Sequence, residues 1–164
     1  MSRDDKDTIA VLNDLIATCK DEAHNFRSAA KGVDSSLIKT LFRSRAISIE
    51  QSAYELRLAV RRLGADAPHF GHAAAALRQG WVTITAALAG HDEHQFVEES
   101  VRREETAVTR YRKALQRALP DTIRVLVEHQ LRSAQQSLAS VRGLLTGSAS
   151  PAMARAASSF AVRQ

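Results

Sequence analysis

The stretch EESVRREETAVTRYRKALQRAL, residues 98–119, predicts a long amphipathic helix. Steps of three and four residues place one set of side chains on a single helical face, namely Val97, Val101, Glu104, Val108, Tyr111 and Leu115. Glu104 is the only charged residue on this face. Because an unpaired charge is costly to bury, we expect the Glu104 carboxyl to be protonated, paired with a cation or bound to a metal.

The same spacing recurs in three other segments, so the sequence predicts four long helices. They cover residues 8–31, 35–63, 92–119 and 121–145. We expect Asp7 or Thr8 to cap the first helix and Asp34 or Ser35 to cap the second, because short polar side chains accept hydrogen bonds from the free N–H groups at helix starts. Pro120 is expected to separate the third helix from the fourth.

The composition favours a single all-α domain. The chain has 164 residues with 45% hydrophobic and 5% aromatic residues, and Ala, Leu, Arg and Glu dominate its long segments. Nearly 30 residues separate the second helix from the third, which is long enough to cross the bundle, and this crossover is predicted to carry a short helix around Trp81. We predict a four-helix bundle over residues 1–147 and a mobile C-terminal tail over 148–164.

Four short motifs resemble those of a known family. They are LNDLIATCKD at 12–21, RRLGAD at 61–66, ALRQGW at 76–81 and REETAVTRYRKAL at 103–115. In this order and at these separations they resemble a group of small bacterial ferritin-like bundle proteins classed as a domain of unknown function. The resemblance implies a ferritin-like fold for residues 8–145, and it implies little about activity, because one fold supports many functions.

The sequence lacks the usual ligands of a dinuclear metal site in such a bundle. That site needs a Glu from each of two helices and a Glu-x-x-His from each of the other two, but no Glu in this chain is followed by His at the third position. The remaining candidate ligands are Glu104 and three carboxylates that flank the apolar faces, namely Glu22, Glu55 and Glu128. The alternative is that Glu104 pairs with Arg45 or with another arginine near the bundle rim.

Cysteine and histidine add little catalytic chemistry. Cys19 is the only cysteine and lies on the apolar face of the first helix, so we expect a core residue and no intrachain disulfide. The pairs His69 with His72 and His91 with His94 have the spacing of a zinc or nickel chelate. They flank the predicted crossover, and we expect them to be exposed polar residues.

Net charge and hydropathy bear on partners and location. The net charge is +5, but arginines alternate with acidic residues and no basic block or aromatic platform is present, so nucleic-acid binding is not expected. The chain has no apolar run of 18 residues, and MSRDDKDT at its start lacks the apolar segment of a secretion signal. We therefore expect a cytoplasmic protein without membrane contact.

Two classes of function remain open. The first is a non-catalytic bundle with a degenerate metal site and no cofactor, acting through self-assembly or protein contacts. We favour a homodimer, with the region around Trp81 or the C-terminal tail as a contact surface for a second copy or another protein. The second is a metal-binding ferritin-like protein that uses iron or manganese, in metal storage or in oxidative-stress defence.

Overall fold

A computed structural model of the chain describes residues 2–66 and 92–147. These residues contain four long helices and no strand, in the order α1 (Arg3–Gly32), α2 (Ser36–Arg62), α3 (Glu93–Leu115) and α4 (Asp121–Leu145). The predicted all-α four-helix bundle is therefore confirmed. The predicted helix around Trp81 and the predicted tail both lie outside the described residues.

The helices pack as two hairpins placed side by side. α1 packs along α2 and α3 along α4, while α1 also contacts α3 and α2 contacts α4. Arg110, late in α3, lies 3.6 Å from Asp14, early in α1. At the other end, the Glu93 carboxylate accepts hydrogen bonds from the backbone N–H groups of Asp34 and Ser35. α3 therefore runs antiparallel to α1 and parallel to α2, so that α2 ends and α3 begins at opposite ends of the bundle.

The start of α1 differs from its prediction. Ser2, and neither Asp7 nor Thr8, caps the helix, because its hydroxyl accepts a hydrogen bond from the Asp5 N–H at 3.1 Å. The Asp5 carboxylate accepts in return from the Ser2 N–H at 2.8 Å. This reciprocal capping box satisfies two backbone donors and extends α1 toward the N-terminus by more than one turn. Thr8 is buried inside the helix instead.

The other helix starts agree with the sequence. Ser35 caps α2 by accepting from the Ile38 N–H at 3.4 Å. Asp92 caps α3 by accepting from the His94 N–H, and α4 begins at Asp121 as predicted. Short polar side chains thus define two of these three starts.

The predicted end of α3 at Leu119 is wrong, because the helix ends at Leu115. The guanidinium of Arg124, on α4, donates to the backbone carbonyls of Leu115 and Arg117 at 3.1 Å each. It thereby satisfies carbonyl groups that have no partner within the helix. Leu119 remains buried in the corner between the helices, where the chain turns at Pro120.

The predicted apolar faces form the core. Each helix contributes small or branched apolar side chains to the interior, among them Ala23, Ala53, Val108 and Leu138. Many core side chains are small, and the rings of Phe26 and Phe42 fill the space near one end with an edge-to-face contact at 5.4 Å. No helix in the described part of the chain is long and apolar enough to cross a lipid bilayer.

Candidate functional site

Four polar side chains, one from each helix, form a central layer at the middle of the bundle: Glu22, Arg45, Glu104 and Ser133. The Arg45 guanidinium donates two hydrogen bonds to the Glu104 carboxylate, from Nε to Oε1 at 2.5 Å and from Nη2 to Oε2 at 3.1 Å. Its Nη1 donates to the Ser133 hydroxyl at 3.3 Å. The Glu104 side chain is fully buried and that of Arg45 is 11% exposed. Both Glu104 oxygens are therefore committed to one guanidinium inside the bundle.

Glu22 is the second carboxyl of the central layer, and it has a different environment. It is buried, and its Oε2 has no hydrogen-bond partner within the described residues. Burial and, to a lesser extent, the negative charge of Glu104 raise the pKa of Glu22 to about 8, while the charges of Arg103 and Arg45 act in the opposite direction. Glu22 is therefore mostly protonated at neutral pH.

A second polar layer lies beside the central layer and also draws on all four helices. The Tyr111 hydroxyl donates to Gln130 Oε1 at 3.1 Å and lies 3.2 Å from the Cys19 Sγ. Because that hydroxyl has a single proton, the Cys19 thiol must be the donor to Tyr111. Gln130 Nε2 donates to the Glu55 carboxylate at 3.1 Å and to the Ser52 carbonyl at 3.2 Å. A continuous hydrogen-bond chain thus joins the buried thiol to a half-buried carboxylate.

The second layer is unsuited to nucleophilic chemistry. Burial raises the pKa of the Cys19 thiol to about 11, and burial likewise raises the pKa of Tyr111 well above its ordinary value. Both groups are therefore neutral at physiological pH. Since the thiolate is the reactive form of cysteine, Cys19 is a structural residue here, as the sequence predicted.

The four candidate metal ligands do not converge. Glu22 lies next to Glu104, but Glu55 belongs to the second layer and Glu128 is half-buried elsewhere on α4. Among residues 2–66 and 92–147, no three His, Cys, Asp or Glu side chains are grouped so that they could hold a metal ion. The predicted alternative, a pair between Glu104 and Arg45, is present. It lies in the interior of the bundle.

The sequence analysis missed two participants on α4, Gln130 and Ser133. Their spacing of three residues places them on one face of the helix, which was the available signal. Tyr111 was assigned to the apolar face by its ring, and its hydroxyl was overlooked. Of the predicted histidine pairs, only His94 lies in the described part of the chain, where it is exposed and 3.5 Å from Glu98.

Comparison with known proteins identifies a family without an assigned activity. A profile described as "Domain of unknown function (DUF2383)" matches residues 7–117, which include most of α1 and all of α2 and α3. No curated protein matches the chain at a significant level. Glu22, Arg45 and Glu104 lie inside the matched region, whereas Gln130 and Ser133 lie beyond it. The match covers more than half of the sequence, and the protein therefore belongs to the DUF2383 family.

Proposed function

We propose that the protein is a non-catalytic, ferritin-like helical bundle that acts through self-assembly or protein contacts, and that its central layer is a degenerate metal site. The observation that carries this proposal is the bidentate pair between Arg45 and Glu104. In a metal-binding bundle, bound cations neutralise the inward carboxylates. Here a guanidinium from α2 does so, and it needs no ion from solution.

The donor set supports the loss of a dinuclear centre. α1 and α3 each supply one carboxyl to the central layer, Glu22 and Glu104, as a ferritin-like site requires of two helices. The other two helices should each supply a Glu-x-x-His pair, but they contribute Arg45 and Ser133. Two divalent ions carry four positive charges, whereas the layer offers two carboxyl groups, one already paired with a guanidinium and the other with a raised pKa. These residues do not fit a pair of iron or manganese ions.

The direction of the helices supports the ferritin-like part of the proposal. α2 and α3 run parallel, although the neighbouring helices of the bundle are all antiparallel, so the connection from α2 to α3 joins opposite ends. One long crossover of this kind distinguishes ferritin-like bundles from those with only short loops. This bundle shares a second feature with ferritin-like bundles, namely a polar layer at the middle of the bundle to which each helix contributes one side chain.

Assembly is proposed as the mode of action because the Glu104 carboxylate is committed to Arg45 and burial raises the pKa of the Cys19 thiol, which keeps it unreactive. Four large apolar side chains are exposed in the described part of the chain, including Ile47 on α2 at 48% exposure and Val125 on α4 at 62%. Together with the apolar segment around Trp81 in the sequence, they favour a twofold dimer. Light scattering of the full chain at micromolar concentration should give the mass of a dimer, and a monomer mass would contradict this part of the proposal.

The second candidate function is metal binding, and one observation favours it. The Glu22 Oε2 has no partner in the described residues and faces the same layer as Glu104. Glu22 and Glu104 would be the residues to hold an iron or manganese ion, which would require the Arg45 guanidinium to be displaced and Glu22 to lose its proton. Storage or oxidative-stress chemistry would follow only if that displacement were favourable.

Metal analysis separates the two functions. Protein produced without a His tag, in medium supplemented with iron and manganese, is analysed by plasma mass spectrometry. We expect far less than one ion per chain in the wild type and in Glu104→Gln, with Glu128→Gln as the matched control. About two ions per chain in the wild type and the control, lost in Glu104→Gln, would make the protein a metalloprotein.

A further inference from the structure

A cleft of about 260 Å³ lies between α1 and α3 and opens onto Glu22 of the central layer. We call this feature the α1–α3 cleft. Charges of both signs line it, because three arginines and three carboxyl groups face it: Arg102, Arg103 and Arg110, with Asp21, Glu22 and Glu99. The cleft is smaller than the sites that hold drug-sized molecules. Its size and lining therefore favour a small polar ligand that carries charge.

The floor of the α1–α3 cleft holds an unsatisfied hydrogen-bonding group. Glu22 is only 6% exposed, and its Oε2 has no hydrogen-bond partner in the described part of the chain. Rotation about the last side-chain bond, which is soft for glutamate, exchanges the two oxygens, so either of them can face the cleft. A carboxyl group keeps at least one acceptor oxygen whether it is charged or neutral. Because an unpaired buried acceptor is costly, a ligand that donates a hydrogen bond to Glu22 stabilises the bundle.

A cation with remaining donors lies about one helical turn from Glu22. The Arg110 guanidinium donates from Nη1 to the Thr18 hydroxyl at 3.2 Å and lies 3.6 Å from the Asp14 carboxylate. Thr18 precedes Glu22 by four residues, which makes the two side chains neighbours on α1, about 6 Å apart. Arg110 does not pair with the Glu22 Oε2. Since a guanidinium has five N–H donors, Arg110 can still bind an anionic group in the cleft.

The other charges of the α1–α3 cleft are largely matched within it. The Glu99 carboxylate accepts hydrogen bonds from Arg102 at 3.0 Å and from Arg103 at 2.8 Å, which neutralises one end of the cleft. At the other end, Glu22 and Arg110 face the same space without pairing through the Glu22 Oε2. An anion would satisfy only Arg110, and a cation would satisfy only Glu22. A molecule with both charges would satisfy the two groups together.

We propose that the α1–α3 cleft binds a small free amino acid, with its ammonium group on the Glu22 carboxyl and its carboxylate on the Arg110 guanidinium. Both charged groups of an α-amino acid are attached to one carbon. With a hydrogen bond at each end, they bridge groups that lie about one helical turn apart. The planar guanidinium of Arg110 matches the two oxygens of the ligand carboxylate. Asp21 lines the same cleft and offers a second carboxyl to the ammonium group.

Nuclear magnetic resonance titration of the isotope-labelled full chain with alanine, lactate and alaninamide tests the proposal. Lactate has a hydroxyl in place of the ammonium group, and alaninamide has an amide in place of the carboxylate, so each lacks one of the two charges. We expect saturable binding of alanine, with chemical-shift changes in the backbone amides of residues 18–22 and 103–110. Lactate and alaninamide should each bind at least tenfold more weakly.

Two substitutions test the two charged groups separately. Glu22→Met keeps the length of the side chain and removes the acceptor, so it should abolish the preference for alanine over lactate. Arg110→Gln, at a side chain that is 44% exposed, should abolish the preference for alanine over alaninamide. Each should weaken alanine binding at least tenfold. Arg142→Gln on α4 is the matched control, because it removes the same charge at 55% exposure, and it should bind alanine like the wild type.

Three outcomes would overturn the proposal. The first is no saturable binding of alanine by the wild type, and the second is chemical-shift changes confined to residues outside the α1–α3 cleft. The third is an unchanged preference for alanine over both other probes in Arg110→Gln. Because Arg110 is partly exposed and lies outside the apolar core, this last result could not be attributed to loss of the fold.

Discussion

Replacing Glu22 by glutamine should change how the stability of the bundle depends on pH. Glu22 is buried with one carboxyl oxygen unpartnered in the described structure, and its charge is opposed by desolvation and by Glu104. Arg103 on α3 and Arg45 on α2 favour the charged form but do not outweigh burial, and Asp21 on the same helix opposes it. Glutamine keeps the size of the side chain and has no proton to lose in this range. The substitution therefore isolates the ionisation of one buried group.

The magnitude follows from the two pKa values of Glu22. Its pKa rises from an ordinary 4.5 to about 8 in the folded protein. Between these pH values the unfolded chain releases the proton while the folded chain keeps it, so the free energy of unfolding falls as pH rises. A pKa difference of one corresponds to about 1.4 kcal/mol. The ionisation of Glu22 therefore lowers the free energy of unfolding of the wild type by almost nothing at pH 4, by about 3 kcal/mol at pH 7 and by roughly 5 kcal/mol above pH 8.

Urea unfolding followed by circular dichroism, at pH 4.5, 6, 7 and 8.5, measures this effect. The quantity to compare is the unfolding free energy of Glu22→Gln minus that of the wild type, in which all other titrating groups cancel. We expect this difference to increase by several kcal/mol from pH 4.5 to 8.5. Glu128→Gln, at a half-buried carboxylate on α4, should show no such increase. A difference that stays flat for Glu22→Gln would refute the reasoning, because it would mean that the folded protein solvates or pairs this carboxylate.

Three further substitutions test the interior by chemical denaturation. Glu104→Gln should lower the free energy of unfolding by about 3–5 kcal/mol, because it leaves the buried Arg45 guanidinium without its carboxylate partner. Adding Arg45→Met should recover most of that loss. An absence of recovery would contradict this account. Gly32→Ala should cost about 1–3 kcal/mol, because an added Cβ would overlap the ring of Phe96. Combining it with Phe96→Leu should reduce that cost. Leu138→Asp should cost about 3 kcal/mol or more by burying a charge, whereas a parent-like stability would mean that α4 presents a different face to the core.

The helix count and core faces could be predicted because periodicity reports them directly. Side chains at steps of three and four lie on one face, and in all four helices that face is the buried one. The ends were harder to predict because they depend on polar contacts. Ser2 and Asp5 precede Ile9, the first apolar residue of α1, so hydrophobic periodicity could not detect their capping box. The end of α3 depends on Arg124 of the next helix, which is a tertiary contact.

The candidate site was predictable only in part. The isolated position of Glu104 on an apolar face follows from spacing, and Arg45 was one of the arginines considered as its partner, but which arginine reaches it depends on how the helices are rotated and offset. Glu22 was predicted to flank the apolar face, and it is buried because α1 packs against both α2 and α3. A helix with two neighbours buries a wider arc than one row of apolar residues indicates, and Thr18 and Asn25 are buried on α1 in the same way.

The polar layers also set the position of α4 against α2. These two helices pack less closely than the other three neighbouring pairs, and a cleft of about 330 Å³ opens between them near Ile123. The hydrogen bonds that join them all come from the two layers, through Ser133 to Arg45 and through Gln130 to Glu55 and the Ser52 carbonyl. A shift of α4 by one turn would leave these polar groups without hydrogen-bond partners, which would lower the free energy of unfolding. Apolar side chains impose a smaller penalty, because they can pack against new apolar neighbours. The polar layers therefore fix the register of the bundle, which gives them a structural role.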